Sequence, residues 1–159
     1  MEVSITSKNG VRLAARSAKI LIEDNKITFP GTNDLIIDGP GEYEVKGMMV
    51  TGVPVGEDTA YVIHSDVATA GVLTNVTDTL SGDALEQLSE LDVLFIAAEG
   101  YELIGKLEPK YVVPLGSGDA LKKFLDEMGA TAVDPVAKLK VSNRDIPEET
   151  TVAVLTASA

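Results

Sequence analysis

Residues 35–47 read LIIDGPGEYEVKG, and residues 48–54 continue as MMVTGVP. Asp34 to Asp38 has the composition of a strand, and its continuous apolar centre suits a buried position. Gly39-Pro40-Gly41 then forces a sharp turn, because Gly and Pro punctuate regular structure. Tyr43 to Val45, Met48 to Val55 and Thr59 to His64 carry the strand pattern onward. Ala70 to Thr74 is a weaker strand, with Gly71 inside it.

Upstream of this stretch the chain also reads as strands. Val3 and Ile5 alternate with polar residues. Lys8-Asn9-Gly10 is expected to form a type I′ hairpin turn leading into Val11 to Ala15. Lys19 to Glu23 and Lys26 to Phe29 follow, separated by Asp24-Asn25, and Pro30-Gly31-Thr32-Asn33 is a loop.

Downstream the pattern changes. Ser81 to Leu91 places Leu85, Leu88 and Leu91 at helical spacing, with Asp83 and Glu86 read as a capping box. Asp92 to Ala97 is an apolar strand, Tyr101 to Leu107 a short helix and Tyr111 to Pro114 a strand. Asp119 to Met128 puts Leu121, Phe124, Leu125 and Met128 on one helical face, with Gly129 placed for a left-handed cap. Leu139 to Val141 and Thr151 to Leu155 close the chain as strands. Hairpins followed by alternating helices and strands predict an α/β sandwich with a mixed sheet, in one domain spanning residues 1–159.

Composition narrows the function. The 159 residues include 13 Lys and Arg against 25 Asp and Glu, a net charge of −12. Such a chain repels phosphate backbones and anionic lipid, so nucleic-acid and membrane-surface partners are disfavoured. It holds no cysteine, which removes disulfides and thiolate chemistry. Its start lacks a basic region followed by an apolar run, and no apolar stretch approaches a membrane span, so the expected location is the cytoplasm.

The stretch at 35–54, with TAYVI (59–63), LDVLFI (91–96), LEPKYVVPL (107–115), KFLDEMG (123–129) and VAKLKVSNRDIPEE (136–149), resembles a bacterial branch of the metallo-β-lactamase-fold hydrolases. That branch is described as zinc-dependent hydrolases. The resemblance covers about residues 34 to 155, and DGPGEYE is its most specific string. It implies an αβ/βα sandwich, trimmed here, β-rich in its N-terminal half and alternating in its C-terminal half. It also implies a metal pair held by an H-x-H-x-D-H loop, a later histidine, a bridging aspartate and a final histidine, which would activate water.

The sequence departs from that ligand set at each position. The interval expected to hold the H-x-H-x-D-H loop, Glu23 to Asp34, contains no histidine. Thr74-Asn75-Val76-Thr77-Asp78 occupies the place of a G-D-x-G-H-like segment, so Asn75 stands where the resemblance implies the bridging aspartate. Pro114-Leu115-Gly116 stands where a relative has P-M-H, with Gly116 at the histidine. Asn75, Asp78 and Gly116 are therefore read as vestigial positions, with no metal, no other cofactor and no catalytic residue assigned.

Other candidates carry two readings each. His64 is the single histidine, either a lone acid or base or an exposed strand residue. Ser117 and Gly118 open a helix, as an anion site or as a plain capped turn. Asp38 and Glu42 flank the Gly39-Pro40-Gly41 turn as groove or ligand residues, or as its solvated rim. Asp38, Glu42, Asp78 and Glu99 could also supply acid–base chemistry or an all-oxygen Mg²⁺ or Ca²⁺ site if they converge.

The reading is a non-catalytic binding or assembly module, with a protein partner or self-association through exposed sheet edges. The alternative is a hydrolase that reuses the old groove with carboxylates and little or no metal dependence.

Overall fold

The computed structural model describes Met1–Ala159 except Ser17, Thr32 and Ala159, so part of the loop expected at Pro30-Gly31-Thr32-Asn33 lies outside the described residues. Strict alternation builds the first sheet. β1 (Glu2–Ile5), β2 (Val11–Ala14), β3 (Lys19–Glu23) and β4 (Lys26–Phe29) each turn every second side chain inward, including Val3, Leu13, Ile20 and Phe29. β5 (Leu35–Asp38) completes the antiparallel meander.

The second sheet starts where β5 turns the corner. β6 (Gly41–Val45), β7 (Met48–Val55), β8 (Asp58–His64) and β9 (Thr69–Leu73) pair antiparallel in succession. α1 (Gly82–Gln87) precedes β10 (Val93–Ala97). A 3-10 helix (Ala98–Leu103) and α2 (Ile104–Leu107) lead to β11 (Tyr111–Leu115), and α3 (Gly118–Glu127) follows. β10 lies parallel between β9 and β11. β12 (Leu139–Lys140) returns to pair with β1, and β13 (Thr151–Val152) pairs parallel with β11. The sheet orders are β12-β1-β2-β3-β4-β5 and β13-β11-β10-β9-β8-β7-β6.

The sheets enclose one apolar layer, with Val3, Phe29, Val50, Tyr61 and Phe95 fully or almost fully buried in it. A second layer lies between the mixed sheet and the helices, joining Val62, Leu94 and Val112 to Leu88, Leu107 and Phe124. Gly71, at the centre of the mixed sheet, makes the helix packing possible: a Cβ there would stand 2.4 Å from Leu91 Cδ1. This is the layered α/β sandwich with a mixed sheet expected from the order of elements, with the described helices packed against the mixed sheet.

Four local expectations are corrected. β5 is the last strand of its sheet, so only Ile37 is buried, while Leu35 and Ile36 are 47% and 57% exposed. The turn at Lys8-Asn9-Gly10 is longer than a type I′ pair: Asn9 alone has positive φ, and the Thr6 N–H reaches the Gly10 carbonyl. The paired positive φ angles of type I′ fall instead at Asp24-Asn25 and Lys46-Gly47. At α1 the cap is Ser81, whose hydroxyl accepts from the Ala84 N–H at 3.1 Å, and the helix is shorter than the leucine spacing predicts.

The remaining helix expectations hold. At the end of α3 the Gly129 N–H bonds the Asp126 carbonyl and the Ala130 N–H bonds that of Leu125, a left-handed glycine cap. No helix among the described residues is long and apolar enough to cross a membrane.

Candidate functional site

β9, β10 and β11 run parallel, so their C-terminal ends share one rim of the sandwich. Ligand sites in such sheets gather at that rim, where loops leave the strands. The β7–β8 turn reaches the same rim because β8 runs antiparallel to β9. The β3–β4 turn joins it through Asn25, whose Nδ2 donates to Asp58 Oδ1 at 3.0 Å.

Asn75 follows β9 and closes its own turn. Its Oδ1 accepts from the Thr77 N–H and hydroxyl and from the Asp78 N–H. Its Nδ2 donates to the Val55 carbonyl at 3.2 Å and to Asp78 Oδ2 at 2.9 Å. Asp78 is folded against the β7–β8 turn, so close that a Cβ on Gly56 would overlap its carboxylate. The structure thus brings Asn75 and Asp78 together, as members of a braced loop.

Gly116 leaves β11 at φ 141° and contributes only backbone. Ser117 is the N-cap residue of α3 but makes no capping bond with its side chain, and Gly118 takes φ 62°. Asp38 stands on the outer face of the first sheet, 4.0 Å from Lys26 Nζ. Glu42 is exposed on β6, the edge strand of the other sheet. Glu99 is exposed on the 3-10 helix, and His64 is exposed at the far end of β8 beside Thr69. Among the described residues, no group of three or more His, Asp or Glu side chains is placed to hold a metal ion. An amide committed to its own turn, a glycine and one folded-back carboxylate do not fit a metal pair.

The rim does contain a cavity of about 230 Å³. Lys8, Glu23, Asn25, Tyr61 and Thr74 line it between the two sheets, whereas Asn75, Asp78, Gly116, Ser117 and Gly118 do not. Tyr61 is 1% exposed, accepts from the Gly39 N–H at 3.1 Å and donates to the Asn25 carbonyl at 2.6 Å. Burial raises the Tyr61 phenol above its usual pKa, and Asp38 and Tyr43 add to the rise; the Gly39 N–H opposes it. Asn25 Oδ1 is buried without a partner among the described residues. Sequence reasoning missed both residues as site builders. The available signal was a tyrosine at an inward position of the alternating run Thr59, Tyr61, Ile63.

The sequence matches no protein-family model and is similar to no curated protein at a significant level. A solved structure does match: a Thermotoga maritima protein described as a Zn-dependent hydrolase of the metallo-β-lactamase superfamily. The match covers 98% of each chain with a TM-score of 0.73 and 18% sequence identity. With the sheet order and the two packed layers, that likeness establishes that this chain has the metallo-β-lactamase fold.

Proposed function

We propose that this chain is a degenerate, single-domain member of the metallo-β-lactamase-fold hydrolases that acts as a binding or assembly module. The supporting observation is the chemistry of the rim. Where the resemblance places a bridging carboxylate and a histidine ligand, the chain has Asn75 and Gly116, and Asn75 has both ends of its amide engaged within its loop. Asn75, Asp78 and Gly116 are vestigial positions in this reading.

A hydrolase reusing the groove would need Asn75, Asp78 and neighbouring carboxylates on one open cavity. Neither Asn75 nor Asp78 lines the cavity that opens between the two sheets, which favours binding over turnover. Elemental analysis of the purified protein, after dialysis against zinc and manganese, tests the proposal. The expected result is well below one metal per chain. Near-stoichiometric, tightly held zinc, iron or manganese would overturn it.

A further inference from the structure

The described helices pack on the mixed sheet, and the outer face of the first sheet carries none. An antiparallel sheet can leave one face in water, so a bare face alone implies nothing. Its charge is the informative feature. In a chain of net charge −12, this face presents Arg12, Lys19, Lys26, Lys138 and Lys140, all exposed.

Three carboxylates share the face, Glu2, Glu23 and Asp38, and two of them are in ion pairs. Glu2 Oε1 lies 3.2 Å from Lys138 Nζ, and Asp38 pairs with Lys26. Lys19 and Lys140 have no ion-pair partner among the described residues. Arg12 donates to the neutral hydroxyl of Ser158 at 2.8 Å. The strand register sets Arg12, Leu21, Thr28 and Ile36 in one row, so Leu21 and the exposed Ile36 add apolar surface to the basic face. A groove of about 540 Å³ opens beside Arg12, Ala14, Lys19 and Leu21.

The opposite side of the molecule has the complementary character. α1 exposes Asp83 and Glu86 and contains no cation. The 3-10 helix exposes Glu99 and Glu102, and α3 exposes Asp119, Asp126 and Glu127 beside Lys122 and Lys123. Leu121 and Leu125 line an open, mainly apolar depression on α3.

We infer that the outer face of the first sheet docks head-to-tail on the helical layer of a second copy of this chain. The inference rests on the reading of the chain as an assembly module and names its partner. Sheet face against sheet face would oppose cations to cations, and helices against helices would oppose carboxylates to carboxylates. Only the mixed pairing matches charge on both sides. A heterologous contact of this kind builds a ring or an open stack.

Complementary variants test it. One carries Arg12→Glu and Lys19→Glu on the sheet face; the other carries Asp83→Lys, Glu86→Lys and Asp126→Lys on the helices. Their masses are read by sedimentation velocity at low ionic strength, with circular dichroism to confirm folding. Where the sheet-face pair impairs folding, Lys19→Glu alone replaces it. Wild type is expected to exceed the monomer mass with rising concentration and to dissociate as salt screens the contact. Each variant alone should associate at least about tenfold more weakly. Mixed one to one, they should recover association, because the intact basic face of one variant meets the intact acidic face of the other.

A monomeric wild type, or a mixture that stays monomeric while wild type assembles, would overturn the inference. Metal analysis of the same samples keeps the two proposals separate. A metal-free monomer overturns the docking alone, whereas bound stoichiometric metal overturns the reading beneath it.

Discussion

Tyr61 on β8 donates its phenolic hydrogen to the Asn25 carbonyl in the β3–β4 turn, at 2.6 Å, and so ties the mixed sheet to the antiparallel one. The same oxygen accepts from Gly39, where the chain passes from the first sheet to the second. One buried hydroxyl therefore fixes two backbone crossings at the rim. Removing it leaves an N–H and a carbonyl without partners while keeping the ring. Tyr61→Phe should lower unfolding stability by about 2 kcal/mol. Urea denaturation with an unchanged slope checks this.

The phenol also sets a pH limit. Its pKa is raised in the folded protein, so the native state holds the proton more tightly than the unfolded chain does. The associated stability is fully present below the unfolded tyrosine value of about 10 and is lost as pH rises through the folded value. Thermal melts should show stability falling at strongly alkaline pH. Tyr61→Phe should flatten that fall, even though it is less stable at neutral pH.

Gly52 is a place where the fold tolerates no side chain. A Cβ there would stand 2.4 Å from the Gly39 carbonyl oxygen and 3.0 Å from Pro40 Cα, both backbone atoms of the corner crossing β7. Gly52→Ala should cost about 3 kcal/mol or leave the protein insoluble, because the corner must move. Gly47→Ala has nothing within 4 Å of the new methyl, and its cost should come only from positive φ, about 1 kcal/mol. Comparing the two melting temperatures isolates the close approach.

Asn75→Asp tests the proposed vestigial reading of Asn75. The substitution replaces the amide nitrogen, which donates to Val55 and Asp78, with a second carboxylate oxygen facing Asp78. At this partly exposed site, stability should fall by about 1 kcal/mol at neutral pH. Zinc added in excess should not restore it. A zinc-dependent rise in melting temperature in this variant, absent in wild type, would count against the vestigial reading.

Local pattern carried most of the element order. Alternation of Val3 with Ile5 and of Ile20 with Ile22 marks inward faces before any partner strand is known, because side chains on a strand alternate with period two. The stripe of Leu121, Phe124, Leu125 and Met128, closed by Gly129, marks α3 in the same way, although only Phe124 is fully buried. Glycine at positive φ and short polar turns act within a few residues, so they are readable along the chain.

Tertiary structure alone decided the rest, because it depends on pairings between residues far apart in sequence. The apolar run Leu35 to Ile37 reads as buried, yet β5 has a neighbour on one side only, and nothing within five residues encodes that. That Asn75 and Gly116 offer no carboxylate or imidazole is legible in the sequence. That Asn75 is locked by Val55, twenty positions earlier, and that the rim cavity belongs to Tyr61 and Asn25 instead, follows only from the packing of two sheets. Hydrophobic burial is set by which surfaces meet, and a single strand's composition does not specify its neighbour.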